Sequence, residues 1–450
     1  MSEVKKIFSK RCWLEGKLQP ATVCFENGII TAIHYHKTDD AEDLGDHILM
    51  PGVIDVHVHI NEPGRTDWEG FDTATQAAAA GGTTTIIDMP LNASPVTTTL
   101  KAFNEKLEAA KNKMHVNVGF YGGLIPGNKN ELPALIEAGV LGIKCFLVHS
   151  GIDEFPNVGE KEIDEAMLII APYHIPLLAH CEIYEKEVEN DFAQHATSYK
   201  HYLESRPKKW ENDAIDLMIK LCRKHNCATH IVHVSSCEAL DGIAKAKKEG
   251  LPLTAETCTQ YIYFNAEDIP DSNCLLKCAP PIREKENNNL LKQALANGIL
   301  DFIATDHSPA PPAIKEIESG DLKKAWGGIA GLQFLFPASW TALKENMPLE
   351  KFIPLLTEKP ALFLKVNNNK GSIKVGYDAD LTIWNPEQKE LVQEQDILHR
   401  HKISPYIGEE LYGAIQQTYV NGILVYKNKK IVNSNIKNGK VILNYKEIKF

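Results

Sequence analysis

The sequence is short of several features that define whole classes of protein. No segment of its 450 residues approaches the roughly 18 consecutive apolar residues that a membrane span needs. Positive charge is also scarce, since the formal net charge is -11, and a general nucleic-acid surface needs a basic stripe. A phosphate-binding loop of the form GxxxxGK(S/T) is missing as well. We therefore expect no membrane partner, no nucleic-acid partner and no nucleotide phosphate site.

The sequence also lacks a disulfide pattern. Its ten cysteines have no regular spacing, which in a chain of this length is typical of reduced thiols. Three residues separate Cys274 from Cys278, and we interpret the pair as buried thiols before zinc ligands. The first residues, MSEVKKIFSKRCW, have no apolar core of the kind that a secretion signal carries. These features predict a cytoplasmic protein.

What the sequence does contain is an alternation of β-rich and helical stretches through its middle. Alternating strands and helices indicate a parallel sheet, and eight strands close a (β/α)8 barrel. A doubly wound sheet is the alternative. Both chain ends are β-rich instead, and the Asn421-Gly422 pair between two apolar runs predicts a hairpin. The predicted strands of the middle are 51–59, 83–89, 115–121, 141–147, 175–180, 229–235, 252–257 and 300–306.

The stretch PGVIDVHVHINEPGR, residues 51–65, ends its apolar run on two histidines. Residues two apart on a strand point the same way, so His57 and His59 can bind one metal ion. A buried polar pair is the plainer reading of this motif alone. Other strands add side chains at the rim where a barrel carries its active site. The complete set of predicted metal ligands is His57, His59, Lys144, His180, His233 and Asp306.

Lys144 is the unusual member of this set, because a protonated amine is repelled by metal ions. If Lys144 has no chemical role, its side chain would extend from the barrel mouth and keep its charged amine in water. A chemical role requires an uncharged amine that reacts with CO₂ to give a carbamate, which can bridge two metal ions. His230 lies three residues before His233 and faces the other way, so we interpret it as a packed histidine. His307 should likewise point away from its neighbour Asp306.

The motifs PGVIDVHVH, GIKCFL, AHCE, HVSS and ATDHSP resemble those of the cyclic amidohydrolases, a superfamily that includes dihydroorotases, hydantoinases and allantoinases. The resemblance covers nearly the whole chain. It implies a small β-sandwich domain from residues 1–50 and 366–450, and a metal-dependent barrel from residues 51–365. It also implies two divalent metal ions per subunit, usually zinc, bridged by Lys144 as N6-carboxylysine. Asp306 would be the base that moves a proton from water to the leaving nitrogen.

Within the superfamily, several long stretches are most similar to the allantoinases. They include HVHINEPGRTDWEGF, AAAAGGTTTIIDMPLNASPVTT and KAWGGIAGLQF. Dihydroorotases place an arginine at the position of Asn61 and a histidine at that of Ala310, both for the carboxylate of their substrate. This chain lacks both cations and should bind a carboxylate substrate poorly. A neutral ring suits amide and hydroxyl partners, and we predict as substrate contacts Asn61, Asn92 and Ser308.

The resemblance therefore implies hydrolysis of the hydantoin ring of allantoin to allantoate. A dihydroorotase or a hydantoinase is the first alternative. A hydantoinase would carry a tyrosine at the position of His149 and a serine at that of Ala279. A non-catalytic scaffold is the second alternative, and the six intact ligands argue against it. N–H groups of the WGGIAG loop, which contains Gly327 and Gly328, could hold the oxyanion. Family members are commonly homotetramers or homodimers, so we expect a homo-oligomer.

Overall fold

The computed structural model of the chain describes residues 4–184 and 191–444. Its centre is a ring of eight short parallel strands, each followed by at least one helix, which is the arrangement of a (β/α)8 barrel. In chain order the barrel strands are Val53–Val58, Thr83–Asp88, Asn117–Phe120 continued by Gly122–Gly123, Ile143–Phe146, Leu177–His180, Thr229–Ile231, Leu253–Cys258 and Phe302–Ala304. The predicted fold class is therefore confirmed.

Each of the eight predicted strands overlaps one of these strands, and most of the observed ones are shorter. Helical stretches predicted between them are also present, because their apolar residues recur at the helical period. The α-helices are Phe71–Ala80, Leu100–Ala110, Leu132–Glu137, Glu160–Ile170, Tyr199–Glu204, Lys208–His225, Leu240–Lys248, Thr259–Tyr263, Lys285–Ala296, Leu335–Leu343, Leu349–Phe352 and Glu358–Phe363. Among the described helices, none has the length and apolar character to span a bilayer.

The barrel closes next to the predicted site. Parallel ladders connect the first three strands, and others connect the fourth through the eighth. Between the eighth strand and the first, the backbone N–H of His59 donates to the carbonyl of His307 at 2.8 Å. Below this bond, the Thr305 hydroxyl donates to Asp55 at 2.5 Å. The first and last barrel strands are thus joined immediately beside His57, His59 and Asp306.

A second, mostly antiparallel sheet combines both ends of the chain, as the β-rich texture of these ends indicated. Its strands are Lys5–Leu14, Lys17–Glu26, Ile29–His34, Glu42–Asp43, Ile48–Pro51, Leu381–Leu391, Glu410–Val420, Ile423–Lys427 and Lys430–Ile431. The predicted hairpin is confirmed, since Asn421 and Gly422 connect two of these strands with φ of 48° and 75°. Two successive positive φ angles are typical of the tight turn that matches strand twist.

The last described strand does not belong to this second sheet. Val441–Ile442 pairs in parallel with the third barrel strand, where Val441 lies opposite Val118. The barrel therefore receives a further strand from the C-terminal segment, which no sequence pattern predicted. The domain limits given above, 1–50 with 366–450 and 51–365, stay a prediction.

Asp380 connects the barrel and the second sheet through a buried polar cluster. Its carboxylate accepts from the amide of Asn117 on the third barrel strand at 3.0 Å and from the backbone N–H of Asn421 at 2.7 Å. The Lys370 amine, only 4% exposed, donates to the same carboxylate at 2.6 Å. A buried cation needs such a partner, because its removal from water is costly.

Asp380→Ala should therefore destabilise the whole protein. The variant leaves the buried Lys370 amine with one carboxylate fewer, and loss of one partner of a buried pair costs about 3–5 kcal/mol. Denaturant unfolding monitored by circular dichroism measures the free energy of unfolding. Glu345→Ala is the control, because its carboxylate is 77% exposed, and it should change that free energy by less than about 0.5 kcal/mol. Equal stabilities of the two variants would contradict this role of Asp380.

Candidate metal centre and substrate cavity

A cavity of about 500 Å³ opens at the carboxyl ends of the barrel strands. This is the face on which (β/α)8 enzymes carry their active sites. Five of the six predicted metal ligands line it: His57, His59, His180, His233 and Asp306. The loops after the fourth and eighth strands form much of its mouth, through His149, Ser150 and Trp326 among others.

One half of the centre is formed by the first and eighth strands. The Nε2 atoms of His57 and His59 lie 3.1 and 3.2 Å from Oδ1 of Asp306. One ligand atom from each of these three residues lies within 4.8 Å of the others. All three side chains are buried. Two imidazoles and a carboxylate at this spacing are a suitable donor set for a divalent metal ion.

The orientation of His57 also suits metal binding. Its Nδ1 lies 2.7 Å from Oε1 of Glu256, on the seventh strand. A carboxylate can only accept here, so Nδ1 carries a hydrogen, and Nε2 is the ring atom that faces Asp306 and is available to a metal ion. The other oxygen of Glu256 lies 3.2 Å from Nε2 of His230. As predicted, His230 is a packed histidine, stacked on Phe302.

The fifth and sixth strands supply the other half. The ring centroids of His180 and His233 are 4.6 Å apart, and His233 also stacks on His57 at 5.5 Å. Nε2 of His180 lies 2.8 Å from the buried carboxylate of Glu182. This contact places the hydrogen on Nε2 and leaves Nδ1 of His180 free as a ligand atom. The four histidines therefore converge on one region of the cavity floor.

Two of the predicted ligands have a backbone conformation that few residue types adopt. The φ angles of His233 and Asp306 are 41° and 48°, in the left-handed region that costs most non-glycine residues energy. Each is the second residue after the end of a barrel strand. The turn away from strand geometry directs each side chain into the cavity, and the surrounding contacts must keep it there.

Lys144 lies at the base of the site, on the fourth strand. Its side chain is fully buried, and its Nζ is one of the buried polar atoms with no hydrogen-bond partner among the described residues. Nζ lies 4.9 Å from the ring centre of Phe146. Burial lowers the pKa of Lys144 to about 8, against the attraction of the Asp306 and Glu256 carboxylates. An unpartnered amine that loses its proton this readily fits the chemistry that a carbamate requires.

Charges in the site influence one another strongly. Burial alone would raise the pKa of Asp306, but the imidazoles of His57 and His59 hold this pKa well below its usual value. Burial lowers the pKa of His233 well below its usual value, and the charges of His180 and Lys144 act in the same direction. Asp306 is therefore an anion and His233 a neutral imidazole, which are the protonation states that metal ligands need.

The three predicted substrate contacts are placed differently. Asn92 and Ser308 line the cavity. The Asn92 amide lies 3.3 Å from Nδ1 of His59, and the Ser308 hydroxyl lies 3.4 Å from Nε1 of Trp326. Asn61 is fully buried, donates to the carbonyl of Pro309 at 3.3 Å, and is not among the residues that line the cavity. The structure therefore does not bring Asn61 together with the other two.

The predicted oxyanion loop is only partly available. The N–H of Gly328 already donates to the carbonyl of Lys277 at 3.0 Å, while Gly327 lines the cavity. A side chain at Gly328 would collide with Ser308, because its Cβ would lie 2.4 Å from the Ser308 carbonyl oxygen. This close approach explains the glycine. His307 is held by backbone N–H groups of Gly331 and Leu332 at 3.2 Å each, away from the cavity as predicted.

Sequence reasoning missed the carboxylates behind the histidines. Glu182 and Glu256 are buried and contact predicted ligands, but neither is a predicted ligand itself. A signal for both exists: Glu256 lies within an apolar strand, and Glu182 follows His180 by two residues in AHCE. A buried carboxylate is unfavourable unless it has a partner, so a Glu close to a predicted metal ligand indicates a contact between the two.

Comparison with known proteins agrees with the fold. The model of the amidohydrolase family matches residues 48–425, and the chain belongs to this family. Its similarity to the allantoinases within the family is confirmed by "Probable allantoinase 2" of Dictyostelium discoideum, 42% identical, with 97% of this chain and 93% of that protein covered. "Allantoinase" of Arabidopsis thaliana is 40% identical, with 94% and 88% covered.

A solved structure with the same fold is the L-hydantoinase (dihydropyrimidinase) from Arthrobacter aurescens. It superposes with a TM-score of 0.90 at 30% sequence identity, over 98% of this chain and all of that chain. The match extends over the barrel and the second sheet together. The barrel and the second sheet thus both have counterparts in this L-hydantoinase.

Lys144→Ala should abolish metal binding and activity together. The change removes the group that we expect to bridge two metal ions, so the purified variant should contain far less than the two ions per chain expected of the parent. Mass spectrometry of the metal content, with the turnover rate, measures the effect. A short carboxylic acid, added to occupy the vacated space, should restore part of both. Lys220→Ala, at a lysine that is 65% exposed, is the control. Metal and turnover that survive in Lys144→Ala would refute the role of this lysine.

Proposed function

We propose that this protein is an allantoinase, which adds water to the ring amide of allantoin and gives allantoate. The observation that carries the proposal is the similarity to allantoinases over nearly the full length of both chains. The cavity with its converging imidazoles is consistent with this reaction. Hydantoin hydrolysis is the second candidate, favoured by the likeness to the L-hydantoinase. Both substrates contain the same five-membered ring.

The positions that would bind a substrate carboxylate carry no cation. Asn61 is neutral and bonded to Pro309, and Ala310 is buried. Most cations of the cavity wall are engaged elsewhere: Arg206 with Glu182, Lys277 with the carbonyl of Ala325, and Lys324 with Asp321. Lys323 is exposed at the rim. A neutral ring therefore fits this cavity better than dihydroorotate does.

The residues that would hold two divalent metal ions are His57, His59, Lys144 as its carbamate, His180, His233 and Asp306. Zinc is the expected ion, because imidazole and carboxylate are among its usual ligands. When bound, the ions supply positive charge that polarises the amide carbonyl and makes the attacking water more acidic. Glu256 and Glu182 keep His57 and His180 in the tautomers that leave a ligand nitrogen free.

Asp306 is proposed as the general base. Its carboxylate accepts a proton from the attacking water, and the same proton then passes to the ring nitrogen as the C–N bond breaks. The ring opens: the amide carbon becomes a carboxylate, and the ring nitrogen becomes the end of a ureido group in the same product molecule. Asn92 and Ser308 would bind the polar edge of the ring, and the part of Asn61 in binding remains a prediction. His149, on the loop at the mouth, is 58% exposed and is proposed for no step.

The cellular location and the oligomeric state of the enzyme are also proposed. All ten cysteines are free thiols, and nine of them are buried, which suits a reducing compartment and supports a cytoplasmic location. A homotetramer or a homodimer is proposed from the habit of the family. The partner of the enzyme is then a small-molecule substrate.

Purified enzyme should hydrolyse allantoin with a kcat/KM at least ~100-fold above those for dihydroorotate and for unsubstituted hydantoin, because polar contacts made by only one substrate discriminate strongly. Parallel assays with the three compounds at one enzyme concentration measure this ratio. The Lys144→Ala protein is the blank for contaminating activity. Faster hydrolysis of dihydroorotate or of hydantoin would contradict the proposal and identify the enzyme as a dihydroorotase or a hydantoinase.

Asp306→Asn should reduce kcat by about 10²–10⁴-fold, the usual contribution of a general base, with a small effect on KM. The amide keeps an oxygen for metal coordination but cannot accept the proton. Steady-state kinetics should accompany a metal determination, so that a lost ion is not mistaken for a lost base. A kcat within ten-fold of the parent value, at equal metal content, would exclude Asp306 as the base.

A further inference from the structure

Two arginines, the partly exposed Arg206 and the buried Arg283, lie behind the half of the centre that the fifth and sixth strands supply. Arg206 donates through Nε to Oε1 of Glu182 at 3.0 Å and through Nη2 to Oε2. Glu182 in turn contacts Nε2 of His180 at 2.8 Å. The carboxylate is completely buried, so its two-point bond with the planar guanidinium determines where its oxygens lie. The His180 ring is thereby set by Arg206 through Glu182.

Arg283 contacts the turn that follows His233. It lies 3.4 Å from Glu211 and donates to the hydroxyl of Ser235 at 3.1 Å. Glu211 accepts from the backbone N–H groups of Ser235 and Ser236 at 2.7 and 3.0 Å. These bonds hold the turn that begins two residues after His233. A histidine with a φ of 41° needs a turn held in this way to keep its conformation.

The bonds of Arg206 with Glu182 and the contact of Arg283 with Glu211 belong to one network. Arg283 also donates, through Nη1, to the backbone carbonyl of Arg206 at 3.1 Å. Arg206 thus receives its own position from Arg283. A single network of charge-assisted bonds therefore runs from the start of the helix Lys208–His225 to the ring of His180 and to the turn that follows His233.

We infer that Arg206 and Arg283 are positioning residues for the metal ligands His180 and His233. The inference rests on the proposed function, because it assumes that these histidines bind metal. It assigns to the arginines the preorganisation of one half of the centre, while Glu256 and Asn92 contact the histidines of the other half. Partners of this kind typically contribute about 10- to 100-fold to metal affinity.

The alternative for Arg206 is direct contact with substrate, because its side chain also lines the cavity and is 23% exposed. The two roles differ in their kinetic signature. A positioning residue affects metal affinity and kcat at limiting metal, and added metal restores the lost activity. A substrate contact affects KM and leaves metal affinity unchanged.

The experiment compares the full-length parent with Arg206→Met and with the double variant Arg206→Met, Glu182→Gln, each stripped of metal and titrated with zinc against a fluorescent chelator. The double variant guards against misfolding, because it leaves no unpaired carboxylate in the interior. In both variants the weaker of the two zinc-binding steps should lose about 10- to 100-fold in affinity. KM should stay unchanged, and excess zinc should restore kcat.

Arg223→Met is the matched control, since Arg223 forms a surface pair with Glu249 and is 49% exposed. It should bind zinc as the parent does. Zinc affinities of the Arg206 variants within two-fold of the parent would overturn the inference, with or without a rise in KM. A parent protein that binds no zinc would instead contradict the proposed function. The two failures are therefore distinguishable.

Discussion

The site depends on keeping many ionisable side chains away from water without leaving any of their charges unbalanced. Four imidazoles, a lysine amine and several carboxylates are buried at one end of the barrel. Each of these groups would be strongly unfavourable alone, and three of the imidazoles are paired with carboxylates: His57 with Glu256, His180 with Glu182, and His59 with Asp306. The amine of Lys144 has no such pairing, because its Nζ has no hydrogen-bond partner among the described residues. This unsatisfied amine lies where the proposed chemistry needs a reactive one.

The barrel makes this pairing possible, because eight parallel strands end at the same rim. Residues nearly 250 positions apart, His59 and Asp306, thereby meet at 3.2 Å. Strand ends alone do not orient the side chains, however. Left-handed backbone at His233 and Asp306 redirects them, and the bonds of Glu211 to the turn after His233 keep one of these conformations in place. Fold and network act together, the first by bringing ligands near and the second by fixing their directions.

Much of the fold was predictable because it rests on local patterns. Apolar runs and helical periodicity identified all eight barrel strands, and Asn421-Gly422 identified its hairpin. The predicted ligands were found by residue type at strand ends, and five of them line the cavity. Contacts that depend on a third element were not predictable. Neither the strand Val441–Ile442 beside the third barrel strand nor the turn of Asn61 toward Pro309 leaves a periodic trace in the sequence.

By itself, the sequence determined the class of fold, the set of candidate ligands and the family, because strand periodicity, residue chemistry and long motifs are all properties of neighbouring residues. The tertiary structure alone decided which carboxylate lies behind which histidine, that the amine of Lys144 lacks a partner among the described residues, and that two arginines connect to His180 and to the turn after His233. Those facts are distances between residues far apart in the chain, and burial gives them their energetic weight. A linear sequence records neither quantity.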